Sequence, residues 1–120
     1  MSSDLERLVG PLGAEVLEAN VALGAATVRQ VLEQLNSRRD RPLAYTTVMT
    51  VMSRLADKGI LTRTAHGRGY VYEVASSDAA QIAVRSVVKE FGPAAVAHFV
   101  EEARADPKLL RRLERLLREG

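Results

Sequence analysis

The chain has no cysteine and no tryptophan, and only two histidines and five other aromatic residues among its 120 positions. Without cysteine there are no disulfides and no thiolate metal ligands, and His66 and His98 alone are too few for a zinc site. No metal and no cofactor is expected. With three Tyr and two Phe, the core has to be built from aliphatic side chains. No apolar run approaches the roughly 20 residues that a membrane-crossing helix needs, and the N-terminus carries no signal-peptide pattern. A cytoplasmic protein without membrane insertion is the expectation. The inventory also lacks an enzyme's chemistry. There is no Cys nucleophile, no glycine-rich phosphate loop, no HExxH, and no histidine with an identifiable carboxylate and serine partner.

What is present fits about one domain's length of chain, with 47% hydrophobic residues. The net charge of +2 says little, but its distribution is uneven. Residues 29–68 carry eight basic side chains against three acidic ones, whereas residues 1–28 carry one against four. A basic central third beside an acidic first helix is the electrostatic footprint of a protein that meets a polyanion.

Helix signals recur along the chain. Pro11 suits a first helical turn, Leu12, Val16, Ala19 and Leu23 mark an apolar stripe, and Gly24 suits the position just past the end. Thr27-Val-Arg-Gln30 is a capping box, opening a second helix with Val28, Val31, Leu32 and Leu35 on one face. After a polar, basic turn from Asn36 to Pro42, a third helix over 45–59 has Val48, Val51, Met52 and Leu55 at the same spacing and stops at Gly59. The period then changes. Ile60–Ala65 and Tyr70–Val74 read as two strands joined by the four-residue loop His66-Gly67-Arg68-Gly69. Three helices and a hairpin predict a winged helix-turn-helix, in which the third helix enters a major groove.

The third helix's outward face supports that expectation. With Val48 set at zero, its apolar residues lie within about 60°, and Ser53, Thr46, Asp57 and Thr50 fall between about 140° and 200°. Arg54 and Thr47 follow near 240° and 260° at roughly 100° per residue. Exposed helix faces usually carry Glu and Lys, which favour the helix, so three threonines within Thr46–Thr50 sacrifice propensity. Short hydroxyls reach phosphates or base edges, a threonine methyl packs on a thymine methyl, and Arg54 can fork onto a guanine. In the wing loop, Arg68 projects toward a backbone phosphate or the minor groove.

The stretch LAYTTVMTVMSRLADKGILTR (Leu43–Arg63), preceded by ATVRQVLEQLNSRRD and followed by GRGYVY, closely resembles the penicillinase and methicillin-resistance repressors, the BlaI/MecI family. The resemblance covers roughly residues 9–77 and continues more loosely through the tail. It implies a homodimer whose winged domains grip a short inverted repeat in double-stranded operator DNA and are joined through C-terminal helices. Carried over by position, Tyr45, Thr46, Thr47, Thr50 and Arg54 lie on the groove-facing helix, Thr27 caps the second helix near a phosphate, and Arg68 sits at the wing. Three departures stand out. Val21 occupies the place of a frequent Trp, with Asn20 beside it where an apolar residue is usual, which bears on how the first helix packs. The cysteine-rich motif of the copper-responsive branch is absent. In some β-lactam-responsive members a membrane sensor protease acts on the repressor at an Asn-Phe bond; the nearest pair here is His98-Phe99.

Beyond Ser76-Ser77 the pattern is again helical. Asp78 is an N-cap before Val84, Val87, Val88 and Phe91. Gly92-Pro93 opens a helix with Val96, Phe99, Val100 and Ala103, and Asp106-Pro107 opens the last, with Leu109, Leu110, Leu113, Leu116 and Leu117. Short helices of this kind bury too little alone, and a second copy supplies the missing partner. Val84, Val88, Phe91, Val96, Phe99, Val100, Leu110, Leu113 and Leu117 are the expected dimer interface, and His98 reads as a structural residue there. The expected organisation is a mainly α protein with a small β-hairpin: a winged helix domain over 1–77 and a helical dimerisation region over 78–120. The alternative is a winged helix used only for protein contacts, which would call for an exposed apolar patch on the third helix in place of its hydroxyls and arginine.

Overall fold

The computed structural model describes residues 3–75 and 78–120. The elements run α1 (Ser3–Leu23), α2 (Val28–Asn36), α3 (Tyr45–Asp57), β1 (Leu61–His66), β2 (Gly69–Val74), α4 (Ala79–Phe91), α5 (Pro93–Ala105) and α6 (Pro107–Glu119). They form two compact units, 1–86 and 87–120. The expected boundary at Ser76-Ser77 lies outside the described residues. The units divide within α4, because Ile82, one turn into that helix, is buried with the core of the first unit.

That core is aliphatic. Val16 and Leu17 of α1, Val28 and Val31 of α2, and Val48, Met52 and Leu55 of α3 meet Ile60, just before the hairpin, and Leu61 and Tyr72 within it. The stripes of α2 and α3 follow the sequence periodicity, with Leu32, Leu35 and Val51 packed at the edge. In α1 the buried face is wider than the expected stripe. Val16 and Ala19 are buried and Leu12 packs at the edge as expected, Leu17 and Asn20 are buried beside them, and Leu23 is exposed. Gly10, at φ +80° and ψ 164°, breaks α1 into two helical segments, a conformation that suits glycine. Pro11 opens the second segment as expected. The segment before it, which the sequence pattern did not signal, is anchored by buried Leu5.

Two side chains clasp the helices where no regular ladder reaches. Asn36, at the end of α2, donates to the Leu43 carbonyl at 3.2 Å and accepts from the Leu43 amide at 2.8 Å, closing the turn into α3 as a backbone pair would. Asn20 is fully buried, and its amide nitrogen donates to the Gly24 carbonyl at 2.8 Å and the Tyr72 carbonyl at 3.0 Å. The same Tyr72 exchanges backbone hydrogen bonds with Ala26, at 2.9 and 2.7 Å, so the link between α1 and α2 adds a one-residue third strand to the hairpin. The departure at Asn20 is thus explained: a polar residue stands there because two carbonyls require a donor.

The hairpin is antiparallel, from Leu61 opposite Val74 to His66 opposite Gly69. The turn is therefore two residues, Gly67-Arg68, and not the expected four, because His66 and Gly69 complete the ladder. Gly67 has φ +61° and Arg68 a negative φ, the pattern of a type II′ turn whose twist matches the strands.

In the second unit α5 packs on α6, with Ala103 buried. Asp106 caps α6 by accepting from the amides of Lys108 and Leu109 at 3.0 and 3.3 Å, as the Asp-Pro signal predicts. Asp78 likewise accepts from the Gln81 amide at the start of α4. No helix among the described residues is long and apolar enough to cross a membrane.

Asn20→Ala is expected to lower unfolding free energy by about 1–3 kcal/mol, since the Gly24 carbonyl loses a donor and Tyr72 one of its two. Asn20→Asp should cost more, by setting a carboxylate against two carbonyl oxygens. Urea unfolding monitored by circular dichroism reads both; an unchanged midpoint in Asn20→Ala would mean the clasp contributes nothing.

Candidate nucleic-acid interface

The core holds one face of α3 and leaves the other to solvent. Thr46, Thr47, Thr50 and Arg54 are exposed, Ser53 is half-buried and Asp57 is exposed. This is the face that the helical projection points outward. The N-cap of α3 is Ala44, which offers no side-chain hydrogen bond. With three threonines in the first two turns, the helix is held by packing and by the Asn36 clasp and not by its own propensity.

Next to this face, α2, α3 and the hairpin enclose an open cleft of about 370 Å³. Thr27 and Arg29 line it from α2, Tyr45 and Met49 from α3, and His66, Arg68 and Tyr70 from the hairpin. None of its lining residues is a carboxylate. Thr27 performs the reciprocal capping box: its hydroxyl accepts from the Gln30 amide at 3.2 Å, and its own amide donates to the Gln30 side chain at 2.8 Å. The remaining amides of that first turn place the positive end of α2 at the cleft's edge. The Arg29 guanidinium lies 5.5 Å from the centre of the Tyr45 ring, a cation–π pair that joins the starts of α2 and α3.

The basic central third is not uniformly available to a ligand. Arg39 reaches back to Glu15 of α1 at 2.7 Å. Arg63 stacks on the Tyr70 ring at 4.9 Å and lies 3.9 Å from Asp57. A side-chain hydrogen bond with Tyr72, its cross-strand neighbour, raises the Arg63 pKa still further above its already high ordinary value. Those two arginines fasten the turn and the wing. Arg29, Arg54 and Arg68 face outward.

Every sequence-expected residue of this site therefore falls on the outer face of α3, the cap of α2 or the tip of the wing. Arg29, Met49, His66 and Tyr70 were missed. Arg29 is signalled by its place inside the capping box, two residues after Thr27 at the start of α2. Tyr70 was read only as part of a strand alternation.

Of the expected interface residues in the tail, Val84, Val88, Phe91, Val96, Phe99 and Leu117 are exposed in the single chain, Leu117 at 73%. Val100, Leu110 and Leu113 are half-buried. His98 is exposed, 3.4 Å from Glu101. Among the described residues no three His, Cys, Asp or Glu side chains gather as a metal site would require.

Three helices, a hairpin packed behind the third, and a hydroxyl-and-arginine face beside a carboxylate-free cleft define a winged helix-turn-helix protein of the regulatory kind. The chain belongs to the penicillinase repressor family, whose description matches residues 9–119, a family of repressors and not of enzymes. It is 42% identical over 90 residues to "Transcriptional regulator BlaI" from two strains of Mycobacterium tuberculosis, CDC 1551 / Oshkosh and H37Rv. Those alignments cover 67% of this chain and 62% of each relative, so the chain spans less than two thirds of the curated relatives' length. Among solved structures, a "Multiple Antibiotic Resistance Repressor, MarR" is similar at 19% identity and a TM-score of 0.46, over 96% of this chain and 82% of that one.

Thr27→Ala is expected to cost roughly 1 kcal/mol of stability, and Thr27→Ser to restore most of it, because the capping oxygen is what matters. Thermal unfolding of the two variants separates the outcomes; equal melting temperatures for Ala and Ser would remove the cap from the account of α2.

Proposed function

We propose that this chain is a sequence-specific double-stranded DNA-binding repressor that acts as a homodimer on a palindromic operator. The observation that carries the reading is the outward face of α3: Thr46, Thr47, Thr50 and Arg54 are exposed on a helix whose other side is fixed in the core, next to a cleft that offers cations and no carboxylate. Membership of a repressor family and the name of the mycobacterial relatives support it.

The mechanism is passive. Arg29, Arg68 and the start of α2 at Thr27 neutralise backbone phosphates and release counterions, which supplies affinity and fixes register. The α3 face enters the major groove, where Arg54 forks onto a guanine, the threonines read base edges or thymine methyls, and Tyr45 stands at the groove's lip. Occupancy of the operator blocks polymerase. One winged unit reads only a few base pairs, so a second copy supplies both affinity and a second half-site. The helical region beyond residue 77 provides the contact. Val84, Val88, Phe91, Val96, Phe99, Val100, Leu110, Leu113 and Leu117 form a self-complementary apolar surface, and most of them have no cover in the single chain.

The direct test is a fluorescence-anisotropy titration against the protein's own promoter DNA at several salt concentrations, with a scrambled competitor. Tight, competitor-resistant binding at two subunits per site is the expected result. Binding that ignores sequence and vanishes with salt would sink the reading.

Arg54→Ala should lose about 1–3 kcal/mol of preference at one base pair per half-site while binding scrambled DNA as before. A uniform loss across all sequences would reassign Arg54 to a phosphate. Leu117→Glu, at an exposed position that leaves each chain's own packing intact, should halve the mass seen by light scattering and shift DNA binding to higher protein concentration.

A further inference from the structure

The last helix carries a charge pattern that neither the winged unit nor the apolar tail contact uses. Projected at roughly 100° per residue with Leu113 at zero, Leu109, Leu110, Leu116 and Leu117 fall within about 60° of it. Lys108, Arg111, Arg115 and Arg118 fall between about 140° and 220°, on the opposite side. All four are exposed. Their 3-4-3 spacing makes a ridge about 15 Å long on one side of α6. The helix's two carboxylates, Glu114 and Glu119, project beside the ridge and not within it. Among the described residues, none of the four cations is held in an ion pair.

Only part of this arrangement serves the helix: Arg118 suits the negative end of the macrodipole and lies one turn after Glu114. The first turn, where the macrodipole is positive, has no acidic residue and carries Lys108. Arg111 and Arg115 are like charges one turn apart, which weakens a helix. Glu at any of these positions would serve helix formation about as well as Arg. A row of four exposed cations, without ion-pair partners among the described residues, is complementary to an external polyanion.

We propose that this ridge is a second DNA surface, which holds the phosphate backbone of duplex outside the base pairs read by α3. The inference rests on the DNA-binding function proposed above. Charge complementarity points to the duplex: it presents one negative charge about every 1.7 Å of its axis, so 15 Å of backbone offers more than enough phosphates for four cations. The winged unit supplies the proximity, since a chain anchored at its operator meets flanking phosphates at high local concentration. The leucines opposite the ridge are the face offered to a second copy, and that contact leaves the ridge open. An anionic membrane would need the same leucines buried in lipid, in competition with the dimer.

The test compares the full-length protein with the triple variant Arg111→Gln, Arg115→Gln, Arg118→Gln, since Gln keeps helix propensity and removes charge. Anisotropy is measured from about 50 to 200 mM salt on a duplex that just contains the operator and on one extended by about a helical turn or two on each side. On the extended duplex, the slope of log affinity against log salt should fall by about 0.9 for each phosphate contact removed. A homodimer loses three contacts in each subunit, six in all, so the affinity that the wild type loses over that salt range shrinks by on the order of a thousandfold. The short duplex, and the preference for operator over scrambled sequence, should be unchanged. The matching triple Arg→Lys variant keeps the charges and should keep the slope. An unaltered slope in a Gln variant of normal helicity and mass overturns the proposal. So does charge-dependent binding to phosphatidylserine vesicles without a change on DNA. If the wild type itself shows no operator preference, the function proposed above fails and this surface with it; if the operator is read and only the slope stays put, the ridge alone is refuted.

Discussion

The carbonyl oxygen of Tyr72 accepts two hydrogen bonds, from the Ala26 amide at 2.9 Å and from the Asn20 side chain at 3.0 Å, and the placement of the winged unit's parts depends on that node. Asn20 lies on α1, Ala26 in the link to α2, and Tyr72 on the wing strand nearest the core. One backbone atom thereby ties three segments that are distant in sequence. Thr27 follows Ala26 directly, so the capping box that starts α2 is built from a residue whose neighbour is already pinned to the hairpin. The cleft between α2, α3 and the wing inherits its shape from this fixed point. A buried carbonyl without a partner is costly, and that asymmetry, more than the modest net gain of each bond, makes the node intolerant of an apolar replacement at Asn20.

The basic residues divide by the same logic. Arg39 and Arg63 are engaged by Glu15, Asp57 and the Tyr70 ring, where they hold the turn before α3 and the flank of the wing. Exposed pairs of this kind contribute little to stability, so their effect is to set geometry. Arg29 and Arg68 line the cleft between α2, α3 and the wing, and Arg54 faces solvent from α3. A count of charges along the chain gives all eight basic residues equal weight, whereas the fold engages Arg39 and Arg63 internally and leaves Arg29, Arg54 and Arg68 exposed.

That sorting marks the limit of what the sequence reveals. Elements that repeat a period or begin with a capping signal were legible: the buried Val28 and Val31, Val48, Met52 and Leu55, the caps at Thr27, Asp78 and Asp106, and the outward face of α3. Features that rest on a single long-range bond were not. Nothing local marks Asn20 as the partner of a carbonyl 52 positions away, and a polar residue in an apolar stripe reads as a defect. The short helical segment before Gly10 escaped because its one buried anchor, Leu5, establishes no period. The two-residue turn at Gly67-Arg68 was read as longer because both of its flanking residues, His66 and Gly69, are poor strand formers that pair only when the ladder is already in register.

The contrast between α3 and α6 carries the functional argument one step further. The outer face of α3 is poor in helix-forming residues and its N-cap is silent, so the helix persists because Val48, Met52 and Leu55 are buried and Asn36 closes the turn before it. The stability of α3 therefore resides in residues other than those that face solvent. Thr46, Thr47, Thr50 and Arg54 can be exchanged for other side chains with little loss of fold. In α6 no residue is fully buried in the single chain, and the helix begins at its Asp106 cap and packs on α5. A helix face that the core carries without using is free to change its chemistry, so under the function proposed above the sequence met by α3 can diverge while the rest of the winged unit is kept.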